Sequence, residues 1–161
     1  MAAHSYGVAL TAMLLADECA AHGVGVDVGR LLRIALLHDL QETRTGDMPR
    51  TVADYYGREA RRAAERAAFD DIMRGAGEGR AAAYAELHED YESRASLEAR
   101  LVKAADVIDL LAQALAFERA GSRGLGEFWE GAAERDFGLE GAAREVVREA
   151  IAALVEERSR Q

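Results

Sequence analysis

An all-α bundle of about six helices is the fold class that this sequence predicts. Three observations carry it. Of 161 residues, 34 are alanine, while valine, isoleucine and threonine together supply 18 and proline one, a balance that favours helix over strand. Apolar residues return every three to four positions in several long segments, the period of a helix with a buried face. Glycine clusters and polar turns separate those segments. The length is that of a single domain, expected to span 1–161. Half the residues are apolar and 30% are charged, which argues against disorder.

The elements follow in order. Val8, Ala12, Leu15 and Cys19 form one stripe of a helix predicted from His4 to Ala21, with His4 on the same stripe and His22-Gly23 as its stop. Asp27 is placed to cap a second helix, Val28 to Leu40. Leu31, Leu32, Ile34, Ala35, Leu36 and Leu37 make it apolar on most sides, hence central. From Gln41 to Pro49 the residues are those of turns. A polar surface helix is predicted from Thr51 to Arg74, a break at 75–79, and a fourth helix from Arg80 to Tyr91. Ser96 opens the fifth, Leu97 to Glu118, which is apolar nearly all round and so expected to be buried. Phe128-Trp129 forms a short core or subunit contact, and a last amphipathic helix runs from Leu139 to Glu157.

Polar residues on apolar helix faces are the informative ones, because a buried charge is costly unless it is paired or ligates a metal. Asp106 has Val102 and Leu110 one turn away on either side. His38-Asp39 ends the other very apolar helix, and His4 opens the first. Each has an ordinary alternative: a capping or satisfied His4, an Asp106 paired with Lys103, a chance His-Asp dipeptide. Together, two imidazoles and two carboxylates suit a divalent cation that accepts nitrogen and oxygen ligands.

The order of these residues resembles the HD phosphohydrolase superfamily, and within it the HD-domain 5'-deoxynucleotidases. The resemblance lies in His4-Ser5-Tyr6, in 35–49 with Glu42, Gly46, Asp47 and Pro49 after His38-Asp39, and in 98–106 ending at Asp106. It implies an HD-domain helical bundle holding one divalent metal ion (cobalt, manganese, magnesium or similar) on His4, His38, Asp39 and Asp106. It also implies that Glu42 acts on the attacking water and that Asp47 assists the leaving group. Arg44 and Lys103 are the candidate phosphate-binding cations, with pairing to neighbouring acids as the alternative for Lys103. The implied activity is hydrolysis of (deoxy)nucleoside 5'-monophosphates. Alternatives are HD-domain hydrolysis of di-, tri- or cyclic nucleotides, or a non-catalytic binding protein on the same scaffold. Glu89 and Glu92, around His88, either line a nucleoside pocket or belong to a surface helix. Relatives carry a helix ahead of the first His. Here three residues precede His4, so the domain is expected either to lack that helix or to be clipped ahead of it, and a homodimer is expected to cover the exposed core.

Composition narrows the partners. A net charge of -9 disfavours a nucleic acid polymer as partner, but not a small phosphorylated substrate held through a cation. Cys19 alone excludes an intrachain disulfide. No apolar run reaches the length of a membrane span, and no basic-then-apolar leader is visible, so a cytoplasmic location is expected.

Overall fold

A computed structural model of the chain describes residues 2–48 and 55–160. Among the described residues all regular structure is helical: α1 (Ala2–Ala21), α2 (Val28–Leu37), α3 (Glu42–Thr45), α4 (Arg58–Met73), α5 (Glu78–Ser93), α6 (Leu97–Arg119), α7 (Gly126–Trp129) and α8 (Gly141–Ser159). The all-α expectation holds, with two one-turn helices, α3 and α7, added to the six longer ones.

The centre of the bundle is α6. It packs against α1, α2, α5, α7 and α8, and Leu101, Val102 and Leu111 are completely buried on it. Ser96 caps it as expected, its hydroxyl accepting from Ala99 N at 3.0 Å. Glu98 does not close a capping box; it reaches across to accept from Asp27 N at 2.8 Å. Asp27 in turn caps α2 by accepting from Arg30 N at 2.9 Å. The starts of α2 and α6 are thus tied side by side.

The stop of α1 is a six-to-one turn. Val24 N donates to Cys19 O, and Gly23 N to Ala20 O. Gly23 sits at φ +78°, where a side chain would be strained. Val8, Ala12 and Cys19 are fully buried beneath it.

Three features differ from expectation by more than a residue or two at a helix end. First, α2 ends at Leu37 rather than Leu40. The chain tightens into i to i+3 bonds, Leu40 N to Leu37 O and Glu42 N to Asp39 O, and Gln41 Nε2 takes up His38 O at 3.0 Å. Second, the polar helix expected from Thr51 begins outside the described residues; within them Gly57, at φ +75°, sets the start of α4 at Arg58. Third, neither α2 nor α4 lies as expected. Leu36 of α2 is 60% exposed, while Phe69 and Met73 of α4 are buried. Phe69 lies against the His88 ring of α5, with centroids 4.2 Å apart.

Asp90 on α5 joins three helices. Its Oδ2 accepts from Arg30 Nη2 of α2 at 2.6 Å and from Ser96 Oγ at 2.7 Å, and its Oδ1 from Ser96 N at 2.9 Å. Burial alone would raise its pKa. The Arg30 guanidinium and the Ser96 hydroxyl and amide outweigh that and hold the carboxyl below its usual range. Asp90→Ala is expected to cost about 2–4 kcal/mol in urea unfolding, since it takes the buried partner from the Arg30 guanidinium, leaving it only the exposed Glu86, and from the Ser96 hydroxyl and amide.

Candidate functional site

Three helices bring the candidate ligands to one place. His4 lies in the first turns of α1, His38 and Asp39 on the turn that ends α2, and Asp106 in the middle of α6. His4 Nε2 is 3.2 Å from Asp106 Oδ1 and 3.5 Å from Asp39 Oδ2. His38 Nε2 is 3.0 Å from Asp39 Oδ2. The two imidazoles meet edge-on, with centroids 5.5 Å apart. One ligand atom each from His4, His38 and Asp106 lies within 4.8 Å of the others, and Asp39 touches both rings.

The chemistry of the donor set fits a divalent cation. His38 Nδ1 donates to Ala35 O at 2.7 Å, and His4 Nδ1 donates to Asp109 Oδ2 at 2.7 Å. Both rings therefore carry their proton on Nδ1 when neutral and turn the Nε2 lone pair inward. His38 Nε2 is fully buried and has no hydrogen-bond partner. The carboxylates also draw protons to this spot. Asp106, followed against burial by Asp109 and by the charge of Asp39, pushes His4 up to about 9. Burial resists charging His38, yet Asp39 and the Ala35 carbonyl raise it. Burial disfavours ionised Asp106, but His4 and Lys103 hold it well below the usual range. A site that attracts a proton this strongly attracts a metal cation for the same reason.

Lys103 enters the cluster through Asp106, its ammonium 2.7 Å from Oδ2 and 3.3 Å from Tyr91 Oη. The pairing weighed for it from sequence is thus present. Glu42 opens α3 and is half-buried. Burial, then the charges of Asp39 and Asp47, push its carboxyl up to about 7. Asp47 is exposed just beyond Gly46, which turns the chain at φ +73°. Arg44 is exposed and reaches Asp71 of α4 at 3.4 Å; among the described residues its ion pairing is to that acid and not to the cluster. Pro49 lies outside the described residues.

Sequence reasoning missed three supporting groups. Asp109 holds His4. Tyr91 packs edge-on against His38 at 5.4 Å, and its hydroxyl reaches Asp106 Oδ2 at 3.3 Å. Gln41 takes His88 Nε2–H on its Oε1 at 3.2 Å while holding His38 O. A signal for the first was present: Lys103, Asp106, Asp109 and Gln113 recur at three- and four-residue steps on the most apolar helix. His88 is buried against Phe69, and burial lowers its pKa. Glu89 is exposed and pairs with Arg66 at 3.3 Å.

Among solved structures, the chain is similar to a conserved hypothetical protein of Pyrococcus furiosus, at 36% identity and a TM-score of 0.80 over 96% of this chain and 82% of that one. The PH0347 protein of Pyrococcus horikoshii OT3 matches with the same TM-score and coverage at 30% identity. The 5'-deoxynucleotidase HDDC2 of Xenopus laevis is 30% identical over 120 residues, 74% of this chain and 56% of that protein. The human protein of that name is 31% identical over 71% of this chain and 52% of its own length. The 5'-deoxynucleotidase YGK1 of Saccharomyces cerevisiae is 32% identical over 72% and 52%. The chain spans about half the length of these curated relatives. A family model described as HD domain matches residues 1–134; with His4, the His38-Asp39 pair and Asp106 gathered at one point of an all-helical bundle, the chain belongs to the HD domain family.

Proposed function

We propose that this chain is a metal-dependent phosphomonoester hydrolase, a 5'-nucleotidase releasing phosphate from (deoxy)nucleoside 5'-monophosphates. The observation that carries it is the pair of inward-facing imidazole Nε2 atoms, locked by acceptors on Nδ1 and set against Asp39 and Asp106. His4, His38, Asp39 and Asp106 would hold one divalent ion. His88, the remaining histidine between His38 and Asp106, is engaged by Gln41 and Phe69, which supports a single ion over a two-metal centre. When bound, such an ion polarises phosphate oxygens and acidifies water.

The other steps fall to the protein. Glu42 orients the attacking water and accepts its proton on a carboxylate oxygen. Its raised pKa suits that task, because a base poised near neutrality takes a proton and gives it up again. Asp47, exposed just beyond Gly46, is placed to relay the proton that Glu42 takes from water to the departing 5'-alkoxide, or to bind that leaving group. Lys103 offsets the charge of Asp106 and adds positive potential where phosphate would sit. Arg44, at the rim, offers a fork matched to phosphate once it leaves Asp71. The names of the nucleotidase relatives support this substrate class.

Glu42→Gln is expected to lower phosphate release from deoxynucleoside monophosphates about 10²- to 10⁴-fold. Calorimetry should show Mn2+ affinity close to wild type; an unchanged turnover number removes Glu42 from the chemistry.

The pH dependence has a definite sign. In the metal-free protein, His4 has a folded pKa of about 9 against 6.5 for the free group. Its contribution to stability is therefore full below about 6.5 and lost as pH rises through about 9. In EDTA the melting temperature should fall over that range, and less so in His4→Asn. Added Mn2+ must displace the proton, so the stabilisation it confers should grow with pH over the same interval.

The same reading places a homodimer in the cytoplasm. Among the described helices none is long and apolar enough to cross a membrane. Tyr6, Leu10 and Leu14 are exposed at four-residue steps on α1, a face available to a second copy. Light scattering should give twice the chain mass, and one chain mass for Leu10→Glu/Leu14→Glu.

A further inference from the structure

The polar seam of α6 continues beyond the candidate ligands. One turn after Asp106, Asp109 accepts from His4 Nδ1 at 2.7 Å through Oδ2. Its side chain is only 13% exposed. Gln113, one further turn along, donates its amide to the same oxygen. The opposing wall is α1, where Gly7 faces the carboxyl. A Cβ at Gly7 would overlap Asp109 Oδ1 and meet Cγ at 2.7 Å, closer than real side chains come, with Oδ2 tight at 3.1 Å. Glycine is a poorer helix former than alanine inside a helix, so its use here allows α1 to close on Asp109.

We infer that Asp109 is a positioning residue: it holds the His4 ring by Nδ1–H so that Nε2 presents its lone pair toward Asp39 and Asp106. His38 receives the equivalent acceptor from the backbone of its own helix, the Ala35 carbonyl. His4 receives it from a side chain on another helix, so its orientation is the one a single substitution can release. Gln113 fixes the carboxyl, and Gly7 leaves the room for it. A ligating histidine whose outer nitrogen loses its acceptor binds metal more weakly, by about 10- to 100-fold.

The inference rests on the reading of His4 as a metal ligand, and the experiment separates the two. Metal-free full-length chain is titrated with Co2+, followed by calorimetry and by the visible absorption of the bound ion. Asp109→Ala is expected to weaken Co2+ binding about 10- to 100-fold and to alter the spectrum, and Asp109→Asn, which keeps a neutral acceptor, to recover part of the loss. Gly7→Ala, a change toward better helix, is expected to weaken binding as well while the EDTA melting temperature stays within a few degrees. In a His4→Ala background, Asp109→Ala should add no further loss.

Wild-type affinity and spectrum in Asp109→Ala overturn the inference while leaving the metal reading intact. So does a loss that keeps its full size without His4, since Asp109 then acts by another route. Absence of Co2+ binding by the wild-type chain overturns both. If Asp109→Ala does not fold, the Asn and Gly7→Ala variants decide, and wild-type affinity in both is again a refutation.

Discussion

Drawing His4, His38, Asp39, Asp106 and Asp109 to one end of an apolar core is the constraint that shapes this molecule. Each of these groups would be costly there without a partner, and the surrounding helices are arranged to supply one. Asp106 has His4 and Lys103; His4 has Asp109; Asp109 has Gln113; His38 has the Ala35 carbonyl. The atom left over is His38 Nε2, buried and without a hydrogen bond. A network satisfied everywhere except at the point where its lone pairs and carboxylates converge is the arrangement expected around a cation.

That convergence is held in register largely by α5, which contributes no candidate ligand. Within four residues it sends His88 to Gln41 on the turn after α2, Asp90 to Arg30 and Ser96, and Tyr91 to His38 and Asp106. One helix thereby fixes the turn carrying His38 and Asp39, the body of α2 and the start of α6 relative to one another. His88 and Asp90 leave different faces of the helix, while Leu87 and Tyr91 bury their apolar surface in the core. Packing and polar geometry are settled by the same side chains, so the distances at the site follow from the bundle.

The residues that gather at the site were legible as candidates from sequence because helical spacing exposes polar residues on apolar stripes. Asp106 between Val102 and Leu110 is such a case, and His4 on the Val8–Ala12 stripe is another. Asp109 and Gln113 follow the same rule one and two turns on, but their partner is a ring on α1, and spacing within one helix does not show which helix packs against it. The tightening after Leu37 was not legible, since nothing in 38–41 breaks a helix by propensity. It depends on the Gln41 amide replacing a backbone donor at His38 O and on His88 from α5 holding that amide, which are tertiary facts. Phe69, on a helix read from sequence as polar and exposed, is likewise buried against a partner that α5 supplies, the His88 ring. Glu98 shows the same limit at a cap: its spacing from Ser96 is wrong for a capping box, and the fold uses it on the neighbouring helix.

The early end of α2 has a chemical consequence. Had the helix run on to Leu40, Glu42 would have followed His38 by one regular turn. Instead the i to i+3 turn lets the chain restart as α3, so that Glu42, Arg44 and Asp47 sit on a short separate element while His4, His38 and Asp106 sit on or directly against long helices. The groups that would hold a cation need fixed geometry; His38 is buried, and His4, Asp39 and Asp106 are partly buried. Those that would handle protons and phosphate need access to solvent and substrate, and Arg44 and Asp47 are exposed with Glu42 half-buried between the two sets. Glu42 feels both sides: burial and Asp39 raise its pKa from within, Asp47 from the mouth. On the proposed function, a carboxyl at that boundary would take a proton from water at the cluster and pass it outward, so that the base would fall on α3 and the ligands on the longer helices.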